Sequence, residues 1–284
     1  MSRTARAGEQ KGGGVAAIDR SGDDVFVGLE LESAAPTDAA VYYEWLLGLS
    51  PGSRPGEALA RVGVTAVRGQ TAPDAPTGWT PAFLVDDAAR AVMRAQQLGG
   101  LAEQDADGRW IVHDPAGVRC RLVEAVPPEI AGRHANVDYS AFDVEETEAF
   151  YRAVFDARRL RMVDDPYDMR FLCRGRRIAA GVFRLHGVAG FAVRPCWIVY
   201  FEVADLVMHV ARAAESGSRV LIPPTRSPFN LYAVLEDPWG DLFAFSQLLP
   251  RPLLGSLPVT DDDDAPGELI DHVDLFPAHH GSIA

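Results

Sequence analysis

Lysine is almost missing. Lys11 is the only one, and arginine carries the rest of the positive charge. That bias points to GC-rich coding DNA and says little about chemistry. Positive charge as a whole is scarce: 27 Lys and Arg against 40 Asp and Glu leave a net charge of -13. A chain this acidic repels phosphate backbones, which removes nucleic acid as an expected partner. Cysteine is scarce too. Cys120, Cys173 and Cys196 are an odd number with no CxxC spacing, which reads as free buried thiols in a reducing cytoplasm. No apolar run is long enough to span a bilayer, so no membrane partner is expected. The opening "MSRTARAGEQKGGG" lacks the apolar core and cleavage pattern of a signal peptide. Cytoplasmic location is the expectation. GxGxxG, the P-loop and the GxSxG elbow are also absent, and "KGGGV" lacks the preceding strand that a phosphate loop requires.

What is present is apolar residue in quantity. Hydrophobic side chains make up 48% of 284 residues, enough for one large core or two of ordinary size. Residues 1–23, rich in Gly and charge, read as a disordered arm. Residues 249–284 read as an acidic tail. It starts as an extended segment through Pro250, Pro252 and Pro258, passes the solvated run Asp261 to Asp264, and ends in "ELIDHVDLF", suited to a short helix or strand.

Between these arms the chain repeats itself. "DAAVYYEWLLGL" (Asp38 to Leu49) matches "ETEAFYRAVFDA" (Glu146 to Ala157), both amphipathic helix patterns with an aromatic pair. "WTPAFLVDDAARAVMRAQQLGG" matches "WIVYFEVADLVMHVARAAESGS", an alternating strand running into a helix that stops at Gly99 or Gly217. "HDPAGVRCRL" matches "EDPWGDLFAF": an Asp-Pro-x-Gly turn, then a last strand. Each half therefore reads strand, helix, strands, strand, helix, strands. The boundaries are 24–126 for the first domain and 134–248 for the second. The first half is short between Gly48 and Trp79, which predicts a lost or reduced strand there.

The strand into "AFYRAVF", the "F-x-V-x-D" strand before a Gly-ended helix and "DPWGDLFAF" carry a resemblance to the vicinal oxygen chelate superfamily, which includes glyoxalase I, bleomycin-resistance proteins and extradiol dioxygenases. The likeness covers about residues 25–247 and is nearest to two-domain actinobacterial glyoxalase-like members. It implies an α+β fold: two tandem glyoxalase-like domains, each of paired βαβββ units curled into a mixed-sheet cup with helices outside. Two domains in one chain would form the internal pair that single-domain relatives make by dimerising, so a monomer or a homodimer is expected.

In metal-using relatives, His, Gln or Glu enter the cup from four strands. By register those positions fall at Gly28, Thr80 and Arg121 in the first half, and at Asn136, Gly181, Ile198 and Ala244 in the second. Gly, Ile and Ala cannot ligate through a side chain and Arg repels a cation, so neither metal nor other cofactor is expected. His113, His186, His209, His272, His279 and His280 form no replacement cluster and read as surface or structural.

Leu29, Leu31, Val137, Tyr139, Phe243 and Phe245 suit the helix-packed face. The opposite parity fills the first cup with Glu30, Glu32, Arg119 and Arg121. It fills the second with Asn136, Asp138, Ser140, Tyr200, Glu202, Leu242, Ala244 and Ser246, with Arg184 near enough to reach it. Glu30 and Arg121 are candidates either for ligand contact or for pairing with each other. In the second cup Asp138 with Tyr200, Asn136 or Glu202 is a candidate acid–base group, and Ser140, Arg184 and Ala244 are candidate ligand contacts. Trp79 and Trp197 suit the core; Trp239, at the x of its turn, is a candidate to line an entrance. Two functions stay open. One is a protein that binds a small, partly apolar or aromatic metabolite, in secondary metabolism or self-resistance by sequestration. The other is a metal-free isomerase, lyase or cyclase working through the second-cup carboxylate.

Overall fold

The computed structural model describes residues 26–50, 52–70, 77–125, 135–162, 169–174, 177–184, 194–227, 230–249 and 259–261. The N-terminal arm, most of the linker between the halves and nearly all of the acidic tail lie outside them.

The first half begins with β1 (Phe26–Ser33) and α1 (Pro36–Leu46). After a 3-10 turn at Glu57–Val62 come β2 (Val64–Gly69), β3 (Gly78–Leu84) and α2 (Ala88–Gln97), then β4 (Leu101–Gln104), β5 (Trp110–His113) and β6 (Arg119–Val123). The second half runs β7 (Ala135–Ala141), α3 (Val144–Phe155), β8 (Arg158–Met162), β9 (Arg170–Arg174) and β10 (Arg177–Arg184). It continues with β11 (Cys196–Glu202), α4 (Leu206–Glu215), β12 (Arg219–Arg226), β13 (Asn230–Glu236) and β14 (Leu242–Leu248). A short β15 (Val259–Asp261) from the tail pairs antiparallel with β8.

Each half makes one mixed sheet. The first has six strands in the order β2-β1-β3-β6-β5-β4; the second has nine, β12-β13-β14-β11-β7-β10-β9-β8-β15. The second half thus holds two complete βαβββ units. In the first, among the described residues, α1 is followed by one strand where α3 is followed by three. The surviving β2 pairs parallel with β1 as β10 pairs with β7. The missing pair matches the short stretch between Gly48 and Trp79.

Local signals set the helix ends. Asp87, Asp143 and Asp205 each cap a helix, their side chains accepting the backbone N–H three residues on. Helix α1 has Pro36 in its first turn instead. Gly99 and Gly217 follow α2 and α4 with φ of 85° and 98°, a conformation costly for any residue with a Cβ.

The sheets lie back to back, and one apolar core runs through both halves. Trp79 and Phe83 of β3 meet Phe201 and Trp197 of β11, with ring centroids 5.5 and 5.3 Å apart. Phe83 also stacks on Phe155 of α3 at 4.2 Å. Trp79 and Trp197 are therefore core, buried at the centre of the docking face.

Polar contacts across this seam repeat the internal symmetry. Tyr43 of α1 donates to Asp237 Oδ2 in the second half's Asp-Pro turn, 2.8 Å away. Its repeat mate Tyr151 donates to Asp114 Oδ2 in the first half's turn at 3.1 Å, joined there by Tyr139 at 2.5 Å. Tyr42 hydrogen-bonds the Ser218 hydroxyl, while Phe150 fills the space over Gly100, where a Cβ would come 2.8 Å from the ring. The Asp-Pro-x-Gly turn is thus a docking element as well as a turn.

Candidate functional site

Back-to-back packing leaves two faces free of the core: the cup sides of the sheets. Their contents differ.

In the first cup Glu30 is only 2% exposed and is met by three guanidinium groups. Arg121 Nε lies 2.8 Å away, Arg109 Nη1 3.1 Å and Arg68 Nε 3.3 Å. Arg121 also pairs with Asp105, and Arg109 with Asp105 and Asp107. Burial alone would raise the Asp105 carboxyl, but the bonds from Arg109 and Arg121 outweigh it and hold the group at about 2. Arg119 pairs with Glu32 at 2.9 Å and donates to Thr80 Oγ1 at 2.9 Å. Glu30 and Arg121, candidates for ligand contact, are thus engaged with each other and with their neighbours.

The second cup carries no such network around its acid. Asp138 on β7 sits in register between Gly181 of β10 and Ile198 of β11. Gly181 N–H donates to Asp138 Oδ1 at 3.0 Å, and the Tyr200 hydroxyl donates to the same carboxylate. Among the described residues no cation pairs with Asp138. Poor hydration in the cup floor pushes its carboxyl up to about 6, with the bonds from Gly181 and Tyr200 pulling only part of the way back. Burial, with the nearby Asp138 charge, keeps the Tyr200 phenol well above its ordinary value, so it stays a donor. Asp138 as a residue is half-buried.

The walls are apolar. Ile198, Val234 and Ala244 form a buried cluster, and Phe183, Cys196, Tyr200, Ile222 and Tyr232 pack around it. Asn136 is exposed at the rim, opposite Tyr200 in the ladder. Glu202 is half-buried, its carboxyl raised by burial, in register with Ser246, whose Oγ accepts from Asn230 Nδ2 at 2.7 Å. Ser140 is fully buried, and its Oγ has no hydrogen-bond partner among the described residues. Asp138, Tyr200, Ser140 and Ala244 are brought together on one face as the alternation predicts. Asn136 and Glu202 flank them.

Two candidates are placed elsewhere. Arg184 alternates with Phe183, and Phe183 is the one that packs on the cup cluster; Arg184 takes the register of Ala141, whose side chain is in the core. Trp239 does not line an entrance. Its ring meets Tyr42 at 5.6 Å, because α1 of the first half docks over the turn that a lone domain would expose. Sequence reading also missed Phe183, Ile222, Tyr232 and Val234 as wall residues. The alternation in "LYAVLE" holds the last two, since Val234 and Tyr232 pair with Ala244 and Ser246.

Gly181 is required by space. A Cβ there would fall 2.4 Å from Asp138 Oδ1 and 3.2 Å from Met169 Sδ. Gly181→Ala is expected to cost about 1–3 kcal/mol, typical of overpacking, as read by urea denaturation. Wild-type stability in that variant would place the carboxylate elsewhere.

A family model for the Glyoxalase/Bleomycin resistance protein/Dioxygenase superfamily matches residues 134–245. The match spans the second half of the chain. The chain is also similar to the anthracycline biosynthesis proteins DauV of Streptomyces sp. (strain C5) and DnrV of Streptomyces peucetius, 29% and 31% identical. Each alignment covers 61% of this chain and 66% of the relative, so it spans just under two thirds of those proteins. The crystal structure of 2,2',3-trihydroxybiphenyl 1,2-dioxygenase from dibenzofuran-degrading Sphingomonas wittichii strain RW1 superposes with a TM-score of 0.55. It covers 80% of this chain and 91% of that one at 14% identity, a likeness of fold alone.

A divalent ion is what this superfamily's cup implies, and the residues present do not fit one. The positions that would supply ligands in the second half carry Asn136, Gly181, Ile198 and Ala244. Asp138, two residues beyond, faces a glycine amide, a phenol and aliphatic carbon, which offer no second anionic or imidazole donor. Among the described residues no three His, Cys, Asp or Glu side chains converge. His113 lies against Glu103, and His209 is buried in α4 with Nδ1 2.8 Å from the Asp205 carbonyl.

Proposed function

We propose that the second cup binds a small, planar, partly apolar or aromatic metabolite without a divalent ion, and that the protein serves secondary metabolism, including self-resistance by sequestration. One observation carries this: a carboxylate, Asp138, with no cation paired to it among the described residues, set in a floor whose walls are Ile198, Val234, Ala244, Phe183 and Tyr232. Apolar walls with few polar groups are the usual makeup of a small-molecule site. The two relatives named for anthracycline biosynthesis support the secondary-metabolism part. The first cup, filled by its own ion pairs, serves as scaffold. Because the two halves already form the paired unit, the protein acts as a monomer.

Native mass spectrometry of freshly isolated protein tests the reading. The expected result is a monomer carrying one small organic molecule that EDTA does not release. Stoichiometric zinc, iron, nickel or manganese would refute it.

The raised Asp138 carboxyl, bonded to Tyr200, favours a second reading: a metal-free isomerase, lyase or cyclase in which Asp138 moves a proton on the bound metabolite. Turnover should then resist chelators and fall at least about 100-fold in Asp138→Asn, the usual size of a general-base contribution. Full activity in that variant would exclude it.

A further inference from the structure

We infer that the second cup chooses its ligand by a hydroxyl on a planar ring, a phenol or enol that donates its hydrogen bond to Asp138. The inference rests on the binding reading above and narrows it to a chemical class.

The argument begins from donor and acceptor counts. An ionised carboxylate accepts only, with room for about four hydrogen bonds. Asp138 receives two kinds of donor from the protein, the Gly181 amide and the Tyr200 hydroxyl. Among the described residues no guanidinium meets it, whereas its repeat mate Glu30 is met by Arg68, Arg109 and Arg121. The residue is half-buried, and its strand position turns the side chain toward the cluster of Ile198, Val234 and Ala244. A ligand that covers this surface strips water from the remaining lone pairs. It must replace that water with a donor, or leave a charged acceptor unsatisfied. A carbonyl, an ether or a second carboxylate cannot do so. Aliphatic and aromatic walls on either side suit a flat ring carrying the donor at its edge.

Gly181 makes the site's polarity testable. Its N–H can only donate, so an amide at position 138 must offer Gly181 its oxygen. The Nδ2 group then takes the other carboxylate position and puts a donor where the wild type offers an acceptor.

The probes are 2-naphthol, which carries a neutral phenol at pH 7.5, and 2-methoxynaphthalene, the same ring with no donor. Binding of each is measured by calorimetry to the full chain and to Asp138→Asn, with circular dichroism confirming that the variant is folded. The wild type is expected to bind naphthol about 10-fold or more tightly over the ether, a difference of the size given by one hydrogen bond to a charged group. In Asp138→Asn the preference should vanish or invert toward the ether. Equal wild-type affinity for the two rings would overturn donor selection and leave the apolar-cup reading standing. An unchanged naphthol preference in folded Asp138→Asn would overturn the assignment to Asp138. Binding of neither ring would overturn both the inference and the aromatic-ligand reading beneath it. The wild-type comparison decides donor selection even where the variant does not fold.

Discussion

Asp114→Ala is expected to destabilise the protein by about 4 kcal/mol, more than a typical point substitution. Asp114 is 5% exposed and belongs to the first half's Asp-Pro turn, yet its carboxylate accepts from two hydroxyls of the second half, Tyr139 and Tyr151. It also receives the Val118 N–H at 2.9 Å, which closes its own turn. Alanine would orphan both buried hydroxyls, at about 1–3 kcal/mol each, and loosen the turn. Both tyrosines are completely buried, so water cannot take the vacated place without opening the seam. Asp114→Asn keeps an acceptor oxygen and should cost less. Urea denaturation of wild type, both Asp114 variants, Tyr151→Phe and the double variants forms a cycle that isolates the cross-seam term. Asp114→Ala within about 1 kcal/mol of wild type would mean that these bonds do not hold the halves together.

Much of this seam was written in the repeat, but only half of it was legible. The aromatic pairs Tyr42-Tyr43 and Phe150-Tyr151 announce a shared helix face, and the two Asp-Pro-x-Gly segments announce shared turns. Nothing in one dimension says that each tyrosine serves the other half's turn. That link is tertiary, made by docking about an internal pseudo-two-fold. Trp239 fails for the same reason: its turn position exposes it in one domain, and α1 of the other domain covers it. Strand parity was more reliable. Leu29, Leu31, Val137, Tyr139, Phe243 and Phe245 all enter the core, which leaves the opposite faces to the cups as expected. Arg184 was expected to reach the cup; it alternates with Phe183, which is the residue that packs on the cup cluster. The Glu30–Arg121 pair could be anticipated from matching cup positions. Arg68 and Arg109 could not, because they arrive from the strand beside β1 and from a turn whose nearness only the folded sheet defines.

The second large effect concerns the other turn and depends on pH. Asp241 stands where the first half has Val118, and its N–H donates to Asp237 Oδ1 at 2.9 Å, as Val118 does to Asp114. It is 3% exposed, and its Oδ2 has no hydrogen-bond partner among the described residues. Burial and then the neighbouring Asp237 charge push its carboxyl up to about 7, while Thr77, Arg194 and Arg119 oppose the shift. The folded protein therefore holds a proton that the unfolded chain, with an ordinary Asp near 3.8, has already released. Where the native state binds more protons, stability falls as pH rises. The contribution of Asp241 is fully present below about pH 4 and is lost by about pH 7. A shift of roughly three units corresponds to about 4 kcal/mol at most. Asp241→Asn, which keeps the shape and carries no charge, is accordingly expected to add about 2–4 kcal/mol at pH 8 and almost nothing at pH 4. Chemical denaturation of both proteins at a series of pH values reads this directly. The gap between them should open between pH 4 and 7, the interval set by the two proton affinities. A gap that is constant with pH would show that Asp241 is ionised throughout, and would replace the buried acid with a solvated one.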